Sequence, residues 1–229
     1  MSRHPVDGLI ERHGPELVTD AVRPLLTADR MARIEAVLEA RLSSVAVGIE
    51  NLYDPHNGAA AIRSIEAFGL STLHVTETIG RFRFAPGVTI GCEKWIAVRR
   101  YPDVTALAGA LRDQGVSLYA TLPDADADLE TIPIDRPLVV LFGNEHEGLT
   151  REAVAACDGA VSIGMHGFTR SFNLSVSVAL VTARLAERRR AFLGAPGDLT
   201  GQERARLRAR WYALSVRGAG EIVARFVSS

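Results

Sequence analysis

The sequence predicts an α/β fold: a mostly parallel sheet with helices on both faces and basic helical segments at both ends. Three observations predict it. Short, nearly continuous apolar runs recur at 44–49, 73–75, 95–98, 116–121, 138–142 and 160–163, as expected of strands buried on both faces. Helical patterns at 57–68, 104–113, 150–157 and 172–192 separate most of these runs, so the strands need crossovers rather than hairpins. Unusual polar residues collect just beyond the strands, where open α/β sheets bind ligands.

The elements follow in order. Thr27 opens a helix over 30–42 with Met31, Ile34, Val37 and Leu38 on one face. Asn57 is read as the cap of the 57–68 helix, whose stripe is Ala61, Ile62, Ile65 and Phe68 and whose stop is Gly69. The helix over 104–113 ends near Gly115, and Thr150 caps the short one over 150–157. The longest helix spans 172–192, with Ser171 as a candidate cap. A linker at 193–198 precedes one or two arginine-rich helices. The expected division is an N-terminal basic extension 1–43, a central domain 44–192 and a C-terminal extension 193–229.

A chain of 229 residues, 47% of them hydrophobic, can bury one substantial core. No apolar run reaches membrane-spanning length and the first residues lack the apolar core of a signal peptide, so a cytoplasmic protein without membrane contact is expected. Cys92 and Cys157 have no metal-ligand spacing and are expected as reduced thiols, with no metal bound. Lys94 is the only lysine; from Arg184 onward ten arginines stand against four acidic residues. Basic ends around a neutral middle suit a polyanion, and equally suit solvated helix faces.

Three stretches carry candidate chemistry. In "ENLYDPHNGAAAIRSIEAFG" Asn57 is a cap or a ligand contact. Arg63, expected on a covered helix, needs an anionic partner, either a carboxylate or a phosphate. In "LVVLFGNEHEGL" Gly143 directly follows a strand and would let a ligand approach the backbone. Neither a GxGxxG fingerprint nor a P-loop is present, which argues against a dinucleotide or triphosphate site. In "VSIGMHGFTRSFNLSVSVALV" Ser171 and Asn173 open the long helix after a glycine-spaced loop. Capping alone explains one of them, and free amides there can hold an anion.

In this order the three stretches resemble the SpoU (TrmH-type) class of RNA 2′-O-methyltransferases in the SPOUT superfamily. The first family motif is met from Asn57 through Arg63 to Gly69, the second by Gly143, Glu145 and Gly148, and the third by Ile163, Met165, Gly167, Ser171, Asn173, Ser175, Val178 and Ala179. Gly164 stands where proline is usual, and Phe172 where leucine is usual. The resemblance covers nearly the whole chain. It implies a C-terminal trefoil knot, a homodimer, and S-adenosylmethionine held by Thr121, Leu122, Gly143, Asn144, Ile163, Met165, Ser171 and Leu174. It implies methylation of a ribose 2′-hydroxyl in tRNA, at guanosine 18 of the D-loop, with Arg63, Asn57, Glu145, Ser171 and Asn173 as the catalytic set. Arg30, Arg33, Arg41, Arg206 and Arg210 on the terminal helices would hold RNA phosphates. Ribosomal RNA, the tRNA wobble nucleotide, or a non-catalytic RNA-binding role are the alternatives; a dehydrogenase stands further off.

Overall fold

The structure, a computed structural model, describes residues 4–78, 89 and 91–228. They form two compact units, one from Leu42–Ala195 and one from the segments ending at Arg41 and beginning at Pro196.

The larger unit is a seven-stranded sheet, all of whose neighbours pair in parallel. Its strands are β1 (Val45–Glu50), β2 (Thr72–Thr76), β3 (Ala97–Tyr101), β4 (Ser117–Thr121), β5 (Ala127–Asp128), β6 (Leu138–Phe142) and β7 (Gly159–Ser162). Their order is β3-β2-β1-β6-β4-β7-β5. β1 and β6 lie at the centre and are buried along their full length, as their unbroken apolar runs require.

Among the described residues four helices cover the sheet: α4 (Pro55–Ala67), α5 (Val104–Arg112), α6 (Arg151–Ala156) and α7 (Leu174–Leu193). Successive side chains of a strand point to opposite faces. Val45, Val47 and Ile49 of β1 therefore meet Ile62 and Ile65 of α4 and Val178, Val181 and Leu185 of α7. Ala46 and, from β6, Val139 and Leu141 meet Leu107 and Leu111 of α5 and Ala153 of α6 on the other side.

Local expectations shift in three places. Asp54, not Asn57, caps α4: its carboxylate accepts from the His56 amide at 2.8 Å, and Pro55 takes the first helical position, where a missing N–H costs nothing. Asn173, not Ser171, caps α7, accepting from the Ser175 amide at 2.9 Å. The strand expected at 95–98 is displaced to Ala97–Tyr101, because a 3-10 turn over Cys92–Lys94 runs into Trp95.

The smaller unit is helical: α1 (Pro5–His13), α2 (Pro15–Val22) and α3 (Ala28–Glu39) from the N-terminal segment, α8 (Gly201–Leu214) and α9 (Ala219–Ser228) from the C-terminal one. The sequence divides these as two extensions; the structure gathers them into one core around Val18, Val22, Leu38 and Trp211. Charge pairs stitch the two segments together. Nε and Nη2 of Arg208 each donate to one oxygen of the Glu35 carboxylate at 2.6 Å, and Arg210 pairs with Asp7 at 2.9 Å. The Arg208 partnership holds the Glu35 carboxyl below its ordinary range.

One buried histidine makes stability depend on pH. His74 of β2 is 4% exposed, stacked beside Tyr101 and hydrogen-bonded to its hydroxyl through Nδ1 at 3.1 Å. Burial, with a smaller push from Arg99, lowers its pKa from 6.5 to about 3. The folded state therefore favours neutral His74, while the unfolded chain takes up the proton below pH 6.5. This contribution is complete above pH 6.5 and is lost as pH falls toward 3, at up to about 1.4 kcal/mol per pH unit. Urea unfolding of His74→Gln against the parent should show a flatter decline across that window.

Candidate active site

Because the strands are parallel, all their carboxyl ends face one edge, and β1, β6, β4 and β7 place four loops side by side there. The loop after β6 folds back on itself. The Gly148 amide donates to the Asn144 carbonyl at 3.1 Å, while the Asn144 side chain accepts from the His146 and Glu147 amides at 2.9 and 2.8 Å. Asn144 is thus occupied in shaping its own turn. Gly143 also has a different reason from the one expected. A Cβ there would stand 1.9 Å from the Gly148 carbonyl carbon, so glycine is required by the chain's own backbone rather than by an approaching ligand. At the far end of the loop, the buried Glu50 of β1 accepts from the Thr150 amide and hydroxyl at 2.8 and 2.7 Å. This fastens the start of α6 to the centre of the sheet, an anchor the sequence reading did not single out.

A cavity of about 370 Å³ opens between the loops after β4, β6 and β7. All eight residues expected around a cofactor (Thr121, Leu122, Gly143, Asn144, Ile163, Met165, Ser171 and Leu174) line it. Some of their polar groups are already committed: the Thr121 hydroxyl donates to the Leu141 carbonyl at 2.9 Å, and the Leu122 amide to the Val161 carbonyl at 3.0 Å. The volume falls in the range of small-molecule sites, and the mix of Leu122, Ile163, Met165 and Leu174 with a few polar groups suits an apolar ring bearing a polar tail.

Beside the cavity a directed chain of hydrogen bonds joins the three motifs. The Ser175 hydroxyl and amide donate to the Asn173 side-chain oxygen Oδ1 at 2.6 and 2.9 Å. Asn173 donates to Asn57 at 3.0 Å, and Asn57 donates to the Glu145 carboxylate at 2.7 Å. Each amide passes its donor toward the carboxylate, so the dipoles reinforce one another. These hydrogen bonds are exposed to solvent and so contribute little to stability.

The other expected site residues fall elsewhere. Ser171 sits on the cavity wall, its hydroxyl without a hydrogen bond among the described residues. Arg63 is exposed on α4, contrary to the covered position expected, and makes no ion pair or hydrogen bond among the described residues. The thiols are poor nucleophiles: burial pushes Cys157 up to about 12, and burial with Glu66 raises Cys92.

The five arginines expected to hold RNA divide. Arg41 cannot serve, because it is fully buried with its guanidinium over the Trp211 ring at 5.0 Å. Arg30 donates to the Ser215 hydroxyl at 3.1 Å, and Arg210 and Arg206 pair with Asp7 and Glu11. Arg33 is exposed without a partner among the described residues. The four arginines of α7 are also structural: Arg184 holds Glu130 and Glu187, Arg188 and Arg189 donate to the carbonyls of Leu129, Ile132 and Ile134, and Arg190 to that of Phe68.

The parallel sheet, the loop cavity and the three joined motifs define a SpoU-type methylase. Residues 44–183 match the SpoU rRNA Methylase family, and the chain belongs to it. It is 34% identical over 193 residues to a tRNA (guanosine(18)-2′-O)-methyltransferase of Borreliella burgdorferi, covering 84% of this chain and 88% of that protein. It is 35% identical to the protein of the same name from Thermus thermophilus, over 68% of this chain and 80% of that one. Among solved structures, the A. aeolicus TrmH/SpoU tRNA modifying enzyme superposes with a TM-score of 0.72 at 25% identity, covering 82% of this chain and 97% of that one. The SpoU methyltransferase AviRb from Streptomyces viridochromogenes, solved with AdoMet, gives 0.58 at 25% identity over 67% and 62%.

Proposed function

We propose that this chain transfers a methyl group from S-adenosylmethionine to a ribose 2′-hydroxyl of tRNA, at guanosine 18 of the D-loop. The observation that carries this reading is the hydrogen-bonded chain from Asn173 through Asn57 to Glu145 beside a cofactor-sized cavity. The names of the Borreliella burgdorferi and Thermus thermophilus relatives supply the nucleotide.

The eight cavity residues would hold S-adenosylmethionine, which would supply an electrophilic methyl. The protein must orient the ribose and relieve the charge that develops on its oxygen. Asn57 and Asn173 hold the ribose through amide groups whose orientation the chain to Glu145 sets, and Ser171 offers a free hydroxyl at the cavity wall. Arg63 lies six residues beyond Asn57, about 9 Å along the axis of α4. Its exposed guanidinium, unpaired among the described residues, is read as the group that meets the adjacent phosphate and the forming alkoxide. Guanidinium holds its proton too tightly to act as a ready base, so the hydroxyl proton passes to the neighbouring RNA phosphate or to water as the O–methyl bond forms.

Two further features belong to this reading. Phe172, Val176 and Leu180 form an exposed apolar stripe beginning beside the cavity, a surface suited to a second copy of the chain in a homodimer. The segment after β7 shares one cavity with the loops after β4 and β6, the arrangement a C-terminal trefoil knot would produce. RNA affinity would then draw on Arg33 and on those terminal arginines that can exchange a carboxylate partner for a phosphate. A tRNA substrate implies work in the cytoplasm, and among the described residues no helix could cross a membrane.

The test is to incubate the protein with unmodified tRNA transcript and radiolabelled S-adenosylmethionine, then map the labelled nucleotide. Label on the ribose of guanosine 18 is expected. Label at the wobble nucleotide would overturn the substrate, and cofactor binding without transfer to any RNA would point to a non-catalytic relative.

A further inference from the structure

We propose that Tyr53, backed by His146, is the platform on which the base of the target nucleotide stacks while its ribose is methylated. The proposal rests on the methyltransferase reading above and extends it to the base.

Tyr53 is 71% exposed. Its neighbours are held firmly. Leu52 is buried in the core, and Asp54 caps α4. Asn51 has a left-handed backbone with φ of 50°, its amide donating to the Thr76 carbonyl at 3.0 Å and its side chain accepting from the Thr78 amide at 2.9 Å. A built loop therefore holds an aromatic ring out into water, where it gains nothing from burial.

The ring stands at the site. Its centroid is 5.0 Å from that of His146, with the planes at 84°. His146 lines the cavity and follows Glu145, the end of the hydrogen-bonded chain; Tyr53 precedes Asn57 by four residues. An edge-to-face pair leaves at least one face of each ring untouched by the other, and the exposure of Tyr53 keeps its face open.

The chemistry calls for such a face. A nucleotide whose ribose reaches Asn57 and Asn173 must leave its stack in the RNA, and an aromatic ring beside the site replaces the stacking it loses. Stacking on one ring accepts any base. Tyr53 is therefore a positioning residue: it places the ribose, and does not select guanine.

The experiment uses full-length protein and a tRNA transcript with 2-aminopurine at the target. In the parent complex the probe should be quenched against Tyr53; in Tyr53→Ala it should be several-fold brighter. With unmodified transcript, Tyr53→Ala should lower kcat/KM by roughly ten- to a hundredfold, the scale of one lost base stack. Tyr53→Phe should restore both readouts, and S-adenosylmethionine affinity should stay within twofold in each variant. Parent-like turnover and quenching in Tyr53→Ala would overturn the proposal. So would a smaller sedimenting species in that variant with unchanged quenching, which would assign Tyr53 to subunit contact. If the parent itself neither binds nor methylates tRNA, the methyltransferase reading falls first, and the platform with it.

Discussion

Arg63→Ala should reduce methylation by roughly 10²–10⁴-fold while leaving the unfolding transition in place. Fold retention follows from the position of the side chain. Arg63 is exposed on α4 and makes no ion pair or hydrogen bond among the described residues. The apolar stripe of Ala61, Ile62 and Ile65 is untouched, and alanine is the better helix former. The loss of activity follows from charge. A ribose oxygen giving up its proton needs a fixed cation nearby, and water cannot supply one at no reorganisation cost. Arg63→Lys keeps the charge but loses the fork that grips a phosphate, so it should fall between parent and alanine variant. Single-turnover rates with saturating tRNA make the comparison; an alanine variant within threefold of the parent would remove Arg63 from the reaction.

Gly143→Ala should abolish cofactor binding through geometry alone. The added Cβ would meet the Gly148 carbonyl carbon and oxygen at 1.9 and 2.3 Å and the Leu149 nitrogen at 2.2 Å. These are backbone atoms and cannot rotate away, so the loop after β6 must open. Opening moves one wall of the cavity and carries Glu145 away from Asn57, a contact now 2.7 Å long. S-adenosylmethionine affinity should drop more than about a hundredfold, while overpacking costs about 1–3 kcal/mol of stability. Gly164→Ala is the control: the nearest atom to an added Cβ there is His166 Nε2 at 3.9 Å, so calorimetric titration should find near-parental affinity. Equal affinity in both variants would mean that the loop is not a wall of the cofactor site.

Much of the site was legible because its chemistry sits on local patterns. The apolar runs of β1 and β6 announced buried parallel strands, and the polar residues just beyond them announced the ligand edge. Asn57, Glu145 and Asn173 could be named from motif order, although nothing local showed that they touch. The cap of α4 was misread although its signal was present. Asp54-Pro55 is a stronger helix start than Asn57, and with Asp54 as the cap the Asn57 side chain is left to join Asn173 and Glu145.

The alternation of apolar strand and amphipathic helix, the glycines of the ligand loops and the inventory of polar groups at the strand ends are written in local sequence. These depend on side-chain period and backbone freedom, which act over a few residues. Long-range packing set the strand order, which brings residues 57, 145 and 173 into one hydrogen-bonded chain. It also decided which arginines are free. Arg41 disappears against Trp211, Arg208 and Arg210 are taken by Glu35 and Asp7, and Arg33 and Arg63 remain open to solvent. A count of charges cannot separate these cases, because an arginine's partner is set by packing between segments far apart in the chain.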